Sequence, residues 1–167
     1  VRYEPRVGVA LSDAGEKLAL HVLRRHRLLE QFLVEVLKFD WSEVHAEAEE
    51  LEHAISDKLL ERMDEFLGRP TVDPHGDPIP NASGEIPARA LIRLTDCETG
   101  DRVRIARVDN QDASFLTYIT DIGLRPGTDL LLLSANPVAG AVLVEKPDKT
   151  TAALGTVAAS VIWVLPA

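Results

Sequence analysis

The chain has 167 residues, of which 46% are hydrophobic, and this is enough to form the core of one large or two small domains. Acidic side chains outnumber basic ones by 27 to 18, and the formal charge of −9 disfavours nucleic-acid binding by these residues and suits cations better. The single cysteine excludes an internal disulfide. No apolar run approaches the roughly 20 residues of a membrane span, which excludes a membrane helix, so we expect a cytoplasmic protein.

The first eleven residues combine β-branched and aromatic residues with a proline and a glycine, which is typical of a β-hairpin arm or its turn. They do not begin with methionine, so we expect further sequence upstream of Val1. Ser12 is a candidate helix N-cap, because Asp13 and Glu16 place negative charge in the turn that follows it. Apolar residues then recur at helical spacing to about Lys38, which predicts one long helix.

A second helical pattern runs from Asp40 to Leu67, with a break allowed near Ser56 and an end at Gly68. Its apolar residues lie on one stripe of the predicted helix. We interpret part of this stripe as a dimer surface, the alternative being that it packs only within the chain. The candidate dimer surface consists of Leu51, Ile55, Leu59, Met63 and Phe66.

Potential metal ligands form a neighbouring stripe of the same helix. Their spacing of i, i+4, i+7 and i+8 projects all of them from one face: His45, Glu49, Glu52 and His53. The preceding helix carries His26 and Glu30 one turn apart, and adjacent helices lie about 8 to 10 Å apart, so the two sets can share ions. A set of carboxylates and neutral imidazoles fits a site for Mn²⁺ or Fe²⁺ better than it fits a tetrahedral site for zinc. The alternative is an acidic face exposed to water.

Residues 69–87 contain half of the chain's ten prolines, mixed with glycine, asparagine, serine and aspartate. Few of them are core-forming, so we predict an extended linker between domains. Beyond it the pattern changes to five short β-rich runs separated by turn residues, with one short helix at about Ala113 to Ile122. Such short strands close most easily into a small barrel, and the sequence therefore predicts an α+β protein.

Three segments carry a more specific pattern: His21 to Glu30, Glu43 to Ser56, and Asp73 to Pro80. Together they resemble the diphtheria-toxin-repressor family of metal-dependent transcription regulators, and the resemblance continues into a C-terminal SH3-like domain similar to FeoA-type domains. It implies four parts. These are the end of a winged helix-turn-helix at 1–14, a helical dimerisation and metal-binding domain at 15–68, a proline-rich linker at 69–88 and an SH3-like barrel at 89–167.

The resemblance also assigns the candidate ligands to two metal sites. The ancillary site consists of His26, Glu30 and His45, and the primary site of Glu49, Glu52 and His53. A further primary-site ligand would lie upstream of this chain. Iron-sensing members have cysteine where this chain has Glu49, so the resemblance favours Mn²⁺, with Fe²⁺ second. Some members add a ligand from the barrel; Asp112 is the candidate here, with helix capping or exposure to water as the alternative.

The function implied by the resemblance is a homodimeric repressor that senses Mn²⁺ or Fe²⁺ and binds operator DNA through the upstream helix-turn-helix, with no small-molecule substrate. A di-metal oxidase is one rival, but it needs a Glu-x-x-His motif from each of two helices and the chain offers only Glu50 to His53. We therefore predict no enzyme. A second rival is a metal-binding adaptor that acts through its SH3-like domain without DNA.

Three arginines flank His26 in the sequence: Arg24, Arg25 and Arg27. They are candidates for contacts with DNA phosphates, but such a cluster more often forms a solvated helix face or pairs with acidic side chains. Cys97, in the sequence Thr-Asp-Cys-Glu, is interpreted as a loop thiol.

Overall fold

The computed structural model of the chain describes residues 2–4, 8–136 and 140–167. The chain divides into two compact units. The first contains residues 1–73 and 78–87, and the second contains residues 74–77 and 88–167. No helix among the described residues is both long and apolar enough to cross a membrane.

The first unit begins with a short antiparallel pair of strands, β1 (Arg2–Glu4) and β2 (Gly8–Ala10), in which Tyr3 lies opposite Val9. The predicted hairpin arm is confirmed, and residues 5–7, between the two strands, lie outside the described residues. Helix α1 (Asp13–Glu35) follows, and the Ser12 hydroxyl accepts a hydrogen bond from the backbone N–H of Gly15 at 3.3 Å, as expected of an N-cap. The helix ends three residues before the predicted Lys38, which has a positive φ of 63° and so cannot continue it.

The second helical pattern forms two helices, α2 (Val44–Glu52) and α3 (Asp57–Phe66). The break lies where the sequence allowed it, because Ser56 has extended backbone angles and its hydroxyl accepts a hydrogen bond from the N–H of Leu59 at 3.3 Å. Residues 40–43 form a turn before α2, held by the Asp40 carboxylate, which accepts bonds from the N–H and hydroxyl of Ser42. Gly68, with φ of 74°, follows the end of α3 as predicted.

The core of the helical unit lies where α1 packs against α2 and α3. Its buried residues are Leu28, Leu29, Leu33, Val44, Ala48, Leu60, Met63 and Ile79. The candidate dimer surface is therefore divided: Met63 is buried in this core and Ile55 packs partly against it, whereas Leu51, Leu59 and Phe66 remain 37%, 49% and 73% exposed.

Residues 69–87 differ from the extended linker that their composition predicts. Val72 forms a β-bridge with Pro78, and the N–H of Ile79 donates to the carbonyl of Thr71 at 2.9 Å. Asp73, Ile79 and Asp77 are all buried. Composition failed here because the tract is held by backbone and side-chain hydrogen bonds rather than by many apolar side chains, and the pattern of apolar residues does not report such bonds.

The second unit contains a six-stranded antiparallel sheet whose strands are hydrogen-bonded in the order β3-β8-β4-β5-β6-β7. The strands are β3 (Ile92–Arg93), β4 (Arg102–Val108), β5 (Asp129–Asn136), β6 (Ala141–Glu145), β7 (Thr151–Gly155) and β8 (Ile162–Pro166). Two helices, α4 (Ala113–Asp121) and α5 (Thr156–Ser160), and one turn of 3₁₀ helix at Leu94–Asp96 complete it. Strand β7 was not predicted, because its sequence Thr-Ala-Ala-Leu-Gly has few strong strand formers.

Candidate metal centre

Three predicted ligands meet at one point between α1 and α2. Nε2 of His26 lies 3.0 Å from Oε1 of Glu30 and 2.9 Å from Nδ1 of His45, and the latter two atoms are 3.1 Å apart. His26 and Glu30 face the same way because they are four residues apart on α1. His45 reaches them from the first turn of α2, which packs on α1 through Val44 and Ala48.

These three atoms fit one face of a six-coordinate metal ion. The edge of an octahedron with metal–ligand bonds of about 2.1 Å is about 3.0 Å long, whereas the edge of a tetrahedron with the same bonds is about 3.4 Å. The observed separations of 2.9 to 3.1 Å match the octahedron. Two imidazole nitrogens and one carboxylate oxygen are also a donor set that Mn²⁺ and Fe²⁺ accept.

The carboxylate of Glu30 gives this cluster its electrostatic character. Its side chain is 0% exposed, although carboxylates are among the groups least often buried. A buried negative charge is costly unless nearby positive charge and hydrogen bonds compensate for it. Ring nitrogens of His26 and His45 lie 3.0 and 3.1 Å from Oε1 of Glu30, and a bound cation would supply positive charge, so the burial of Glu30 fits a cation-binding role.

Glu52 holds the other ring nitrogen of His26. Its Oε2 lies 2.9 Å from Nδ1 of His26, so Nδ1–H can donate to Glu52 when Nε2 acts as a metal ligand. Burial alone would lower the pKa of His26, but the hydrogen bonds and charges of Glu30 and Glu52 outweigh this effect and raise the pKa. Glu52, predicted as a primary-site ligand, thus orients a ligand of the neighbouring set in this structure.

Glu49 and His53 lie at the edge of the cluster rather than within it. Oε1 of Glu49 is 3.6 Å from Nε2 of His45, and Nε2 of His53 is 3.3 Å from Oε1 of Glu52. Both side chains extend towards solvent, with exposed fractions of 65% and 80%. Among the described residues, Glu49, Glu52 and His53 are therefore close in sequence and in space but not gathered around one point.

Asp112 belongs to the second unit, where it is the N-cap of α4. Its carboxylate accepts hydrogen bonds from the hydroxyl of Ser114 and from the N–H of Phe115, and these bonds lower the pKa of Asp112. Helix capping, the alternative to metal ligation, is thus confirmed as one role of this side chain. Ligation by Asp112 stays a prediction.

The arginines around His26 all bind groups within the helical unit. Arg24 donates to the carboxylate of Asp64 and to the carbonyl of Pro80, at 2.8 and 2.9 Å. Arg27 donates to the carbonyl of Pro78 and lies 3.5 Å from the carboxylate of Asp73. The interpretation that these arginines pair with acidic side chains is confirmed. Their bonds to backbone carbonyls were not predicted, because the sequence carries no signal for them.

Two families match the two parts of the chain. Residues 12–81 match the family described as "Iron dependent repressor, metal binding and dimerisation domain", and residues 92–166 match the FeoA domain. The chain therefore combines a helical domain of the metal-binding and dimerisation type with a FeoA domain of SH3-like fold.

Solved structures and curated relatives agree with these matches. A manganese-dependent transcriptional repressor is 45% identical, with a TM-score of 0.89 over 95% of this chain and 86% of that one. The structure of such a repressor in complex with manganese is 44% identical, with a TM-score of 0.88 over 96% of this chain and 76% of that one. The iron-dependent repressor IdeR of Mycobacterium tuberculosis is 35% identical over 128 residues, which cover 70% of this chain and 56% of IdeR.

The chain thus belongs to the diphtheria-toxin-repressor family of iron- and manganese-dependent repressors. It spans about half the length of the curated IdeR proteins that it matches.

Proposed function

We propose that this chain is the metal-sensing and dimerising part of a transcriptional repressor that binds Mn²⁺, or alternatively Fe²⁺, and controls genes of metal homeostasis. The observation that carries the proposal is the octahedral-edge spacing of His26, Glu30 and His45 around one point. The names of the relatives support it, since they are manganese- or iron-dependent repressors. DNA binding is assigned to a winged helix-turn-helix upstream of Val1, and the site of action to the cytoplasm.

Each ligand has a separate task in this proposal. His26 and Glu30 hold the ion from α1, His45 holds it from α2, and Glu52 keeps the His26 ring in the orientation that presents Nε2. The bound ion supplies positive charge beside the buried Glu30 carboxylate and links the two helices. We assign Glu49 and His53, with Glu52, to the second site of the resemblance, completed by a ligand upstream.

Metal control of DNA binding then follows from linkage between two sites. An ion that binds the DNA-competent arrangement of the dimer more tightly than other arrangements shifts the population towards it, by no more than that difference in affinity. Fixing α1 against α2 and the upstream segment would set the spacing of two recognition helices across a dimer.

The metal site is tested by titrating the 167-residue chain with Mn²⁺ and measuring free Mn²⁺ by electron paramagnetic resonance. His26→Ala and His45→Ala should each weaken Mn²⁺ binding at least tenfold, because each removes a ligand atom. His21→Ala is the matched control, since His21 lies on the same helix, is partly exposed and lies 3.4 Å from the exposed carboxylate of Asp57. Binding that is equal in all four proteins would contradict the proposal.

Measuring operator binding by the complete protein distinguishes a transcriptional regulator from a metal-binding adaptor. Mn²⁺ should increase operator affinity, and Glu49→Ala or His53→Ala should abolish that increase while the protein stays a folded dimer. An adaptor would show no metal-dependent operator binding in any variant. The same samples should show no oxidase or hydrolase turnover, which separates the repressor from a di-metal enzyme.

A further inference from the structure

Arg25, the residue before His26, makes three contacts across the break between α2 and α3. Its Nε donates to the carbonyl of Glu52 at 2.9 Å, its Nη2 donates to the carbonyl of Ile55, and its Nη1 donates to the carboxylate of Asp57 at 2.5 Å. The Arg25 side chain is only 12% exposed. One guanidinium thus joins α1 to the end of α2 and the start of α3.

The Glu52 carbonyl is one of those that a helix end leaves without intrahelical partners, and the Ile55 carbonyl lies in the segment between α2 and α3. Glu52 is the last residue of α2, and a cation beside the last carbonyls is favoured by the helix dipole. A guanidinium is planar and presents its donors in a fixed fork, so it can hold two carbonyls in a defined relation to each other. Lysine offers a single mobile charge and cannot do the same.

Glu52 is consequently held at both ends by consecutive residues of α1. Arg25 binds its backbone carbonyl, and Nδ1 of His26 binds its carboxylate at 2.9 Å. The position of that carboxylate depends on where α2 ends, because Glu52 is the last residue of this helix. The orientation of His26 depends in turn on the carboxylate, which holds the ring nitrogen opposite the candidate ligand atom.

We propose that Arg25 is a positioning residue of the metal centre: it fixes the end of α2 so that Glu52 orients His26 for metal binding. The proposal rests on the proposed function, in which His26, Glu30 and His45 hold the ion. The hydrogen bonds of Arg25 go to Glu52, Ile55 and Asp57 and not to the three ligand side chains. Its two carbonyl bonds carry the effect, whereas its bond to Asp57 reaches a side chain that is 76% exposed and adds little.

The test compares Arg25→Gln, Arg25→Lys and Asp57→Asn in the 167-residue chain. Arg25→Gln should weaken Mn²⁺ affinity at least tenfold, as expected when a group that orients a ligand is lost. Arg25→Lys should show an intermediate loss, and Asp57→Asn, which leaves both carbonyl bonds in place, should stay within about twofold of the unaltered chain. Far-ultraviolet circular dichroism, recorded at the temperature of the titration, identifies variants that are folded.

A second measurement needs no metal. The ¹⁵N resonance of His26 Nδ1 in the metal-free chain reports the contact of this nitrogen with the Glu52 carboxylate, and Arg25→Gln should shift that resonance because the contact is lost. A variant whose loss of affinity reflected stability alone would keep the His26 Nδ1 resonance while folded. If Arg25→Gln does not fold, Arg25→Lys supplies both measurements.

Unchanged Mn²⁺ affinity and unchanged His26 resonances in the folded Arg25 variants would overturn the proposal. A loss in Asp57→Asn equal to that in Arg25→Gln would also overturn it, since the exposed ion pair and not the carbonyl bonds would then be responsible. Failure of the unaltered chain to bind Mn²⁺ would contradict the proposed function instead, and it is recognised before any variant is compared.

Discussion

Among the individual residues of the helical unit, Glu30 is a charged residue that is completely buried. Its burial is unfavourable for stability, and the same charge would favour the binding of a cation. A lone buried carboxylate destabilises a fold, and replacing it with a neutral group of the same shape is often neutral or stabilising. Oε1 of Glu30 lies 3.0 and 3.1 Å from the ring nitrogens of His26 and His45 and forms one vertex of the ligand triangle. We interpret it as a residue kept for binding rather than for stability.

Glu30→Gln tests this interpretation. The metal-free chain should melt at the same or a higher temperature, because the substitution removes a buried charge and keeps the side-chain shape. The stabilisation by Mn²⁺, about 2.7 kcal/mol at 100 times the dissociation constant for a ligand that binds only the folded state, should be largely lost. Thermal unfolding with and without Mn²⁺ measures both effects. An equal Mn²⁺-induced increase in melting temperature in the variant would contradict the assignment of Glu30.

Cys97 differs from the loop thiol expected from its sequence, because it is buried and its Sγ lies 3.5 Å from the carbonyl of Arg93. Burial, and then the negative charges of Asp101 and Asp96, raise its pKa to about 11. Alkylation of the folded chain by iodoacetamide at pH 8 should therefore be about a hundredfold slower than that of the unfolded chain. Mass spectrometry of timed samples measures the rates, and similar rates would refute the expectation.

The raised pKa of Cys97 also makes the stability of the folded chain depend on pH. The folded state favours the protonated thiol, so the contribution of Cys97 to stability is complete below the unfolded pKa of about 9 and decreases as the pH rises towards 11. Denaturant unfolding of the chain and of Cys97→Ala between pH 8 and 11 should show a loss that is smaller in the variant.

At the level of elements, helical periodicity predicted which ligands share a face but not how the helices meet. His26 and Glu30, one turn apart on α1, were placed correctly by spacing alone. Which of the remaining ligands joins them depends on how α2 packs on α1, because His45, Glu49 and Glu52 all lie on α2 and it is His45 that reaches Nε2 of His26 and Oε1 of Glu30. Ser56 allowed the break that follows α2, but the bonds of Arg25 to the carbonyls of Glu52 and Ile55 have no periodic signal in the sequence.

The segment 74–77 shows the same limit, since its proline and glycine content predicted a linker although it belongs to the second unit. The N–H of Val108 on β4 donates to the carbonyl of His75 at 2.9 Å, and Arg107 forms an ion pair with Asp77. Gly76, with φ of 87°, lies so close to β4 that an added Cβ would be 2.0 Å from the carbonyl oxygen of Ala106. No rule for turn residues anticipates this contact.

Gly76→Ala should destabilise the second unit more than Gly127→Ala does. Both glycines have positive φ, and alanine there costs about 1–2 kcal/mol. A Cβ at Gly127 meets nothing within 4 Å, so the difference between the variants isolates the contact with β4, which we expect to add about 1–3 kcal/mol. Denaturant unfolding measures both free energies, and equal values would show that the backbone approach is relaxed at no cost.

For the whole molecule, the exposed apolar residues of the helical unit bear on assembly. Leu51, Leu59 and Phe66 keep much of their apolar surface in solvent, which is costly for a monomer when such residues form one patch. The sequence predicted these positions as a dimer surface together with Ile55 and Met63. The structure buries Met63 and part of Ile55 within the chain, because periodicity identifies an apolar stripe but not which of its residues the same chain covers.

Phe66→Glu should shift the chain from dimer to monomer at micromolar concentration, because it places a charge in the proposed interface. Val157→Glu is the control, since Val157 is 85% exposed and belongs to the second unit. Sedimentation equilibrium of the two variants and the unaltered chain gives the masses. A dimer that persists in Phe66→Glu, or an unaltered chain that sediments as a monomer, would exclude this surface.

The assignment of residues 74–77 to the second unit, between two stretches of the first, affects how the protein can be divided. A cut at residue 88 looks natural from composition, but the resulting C-terminal piece would lack the His75 carbonyl that satisfies Val108 and the Asp77 carboxylate that pairs with Arg107. A cut at residue 73 would instead carry residues 78–87 away from the helical part. The linear order of the polypeptide therefore offers no single point at which both halves keep all of their own contacts.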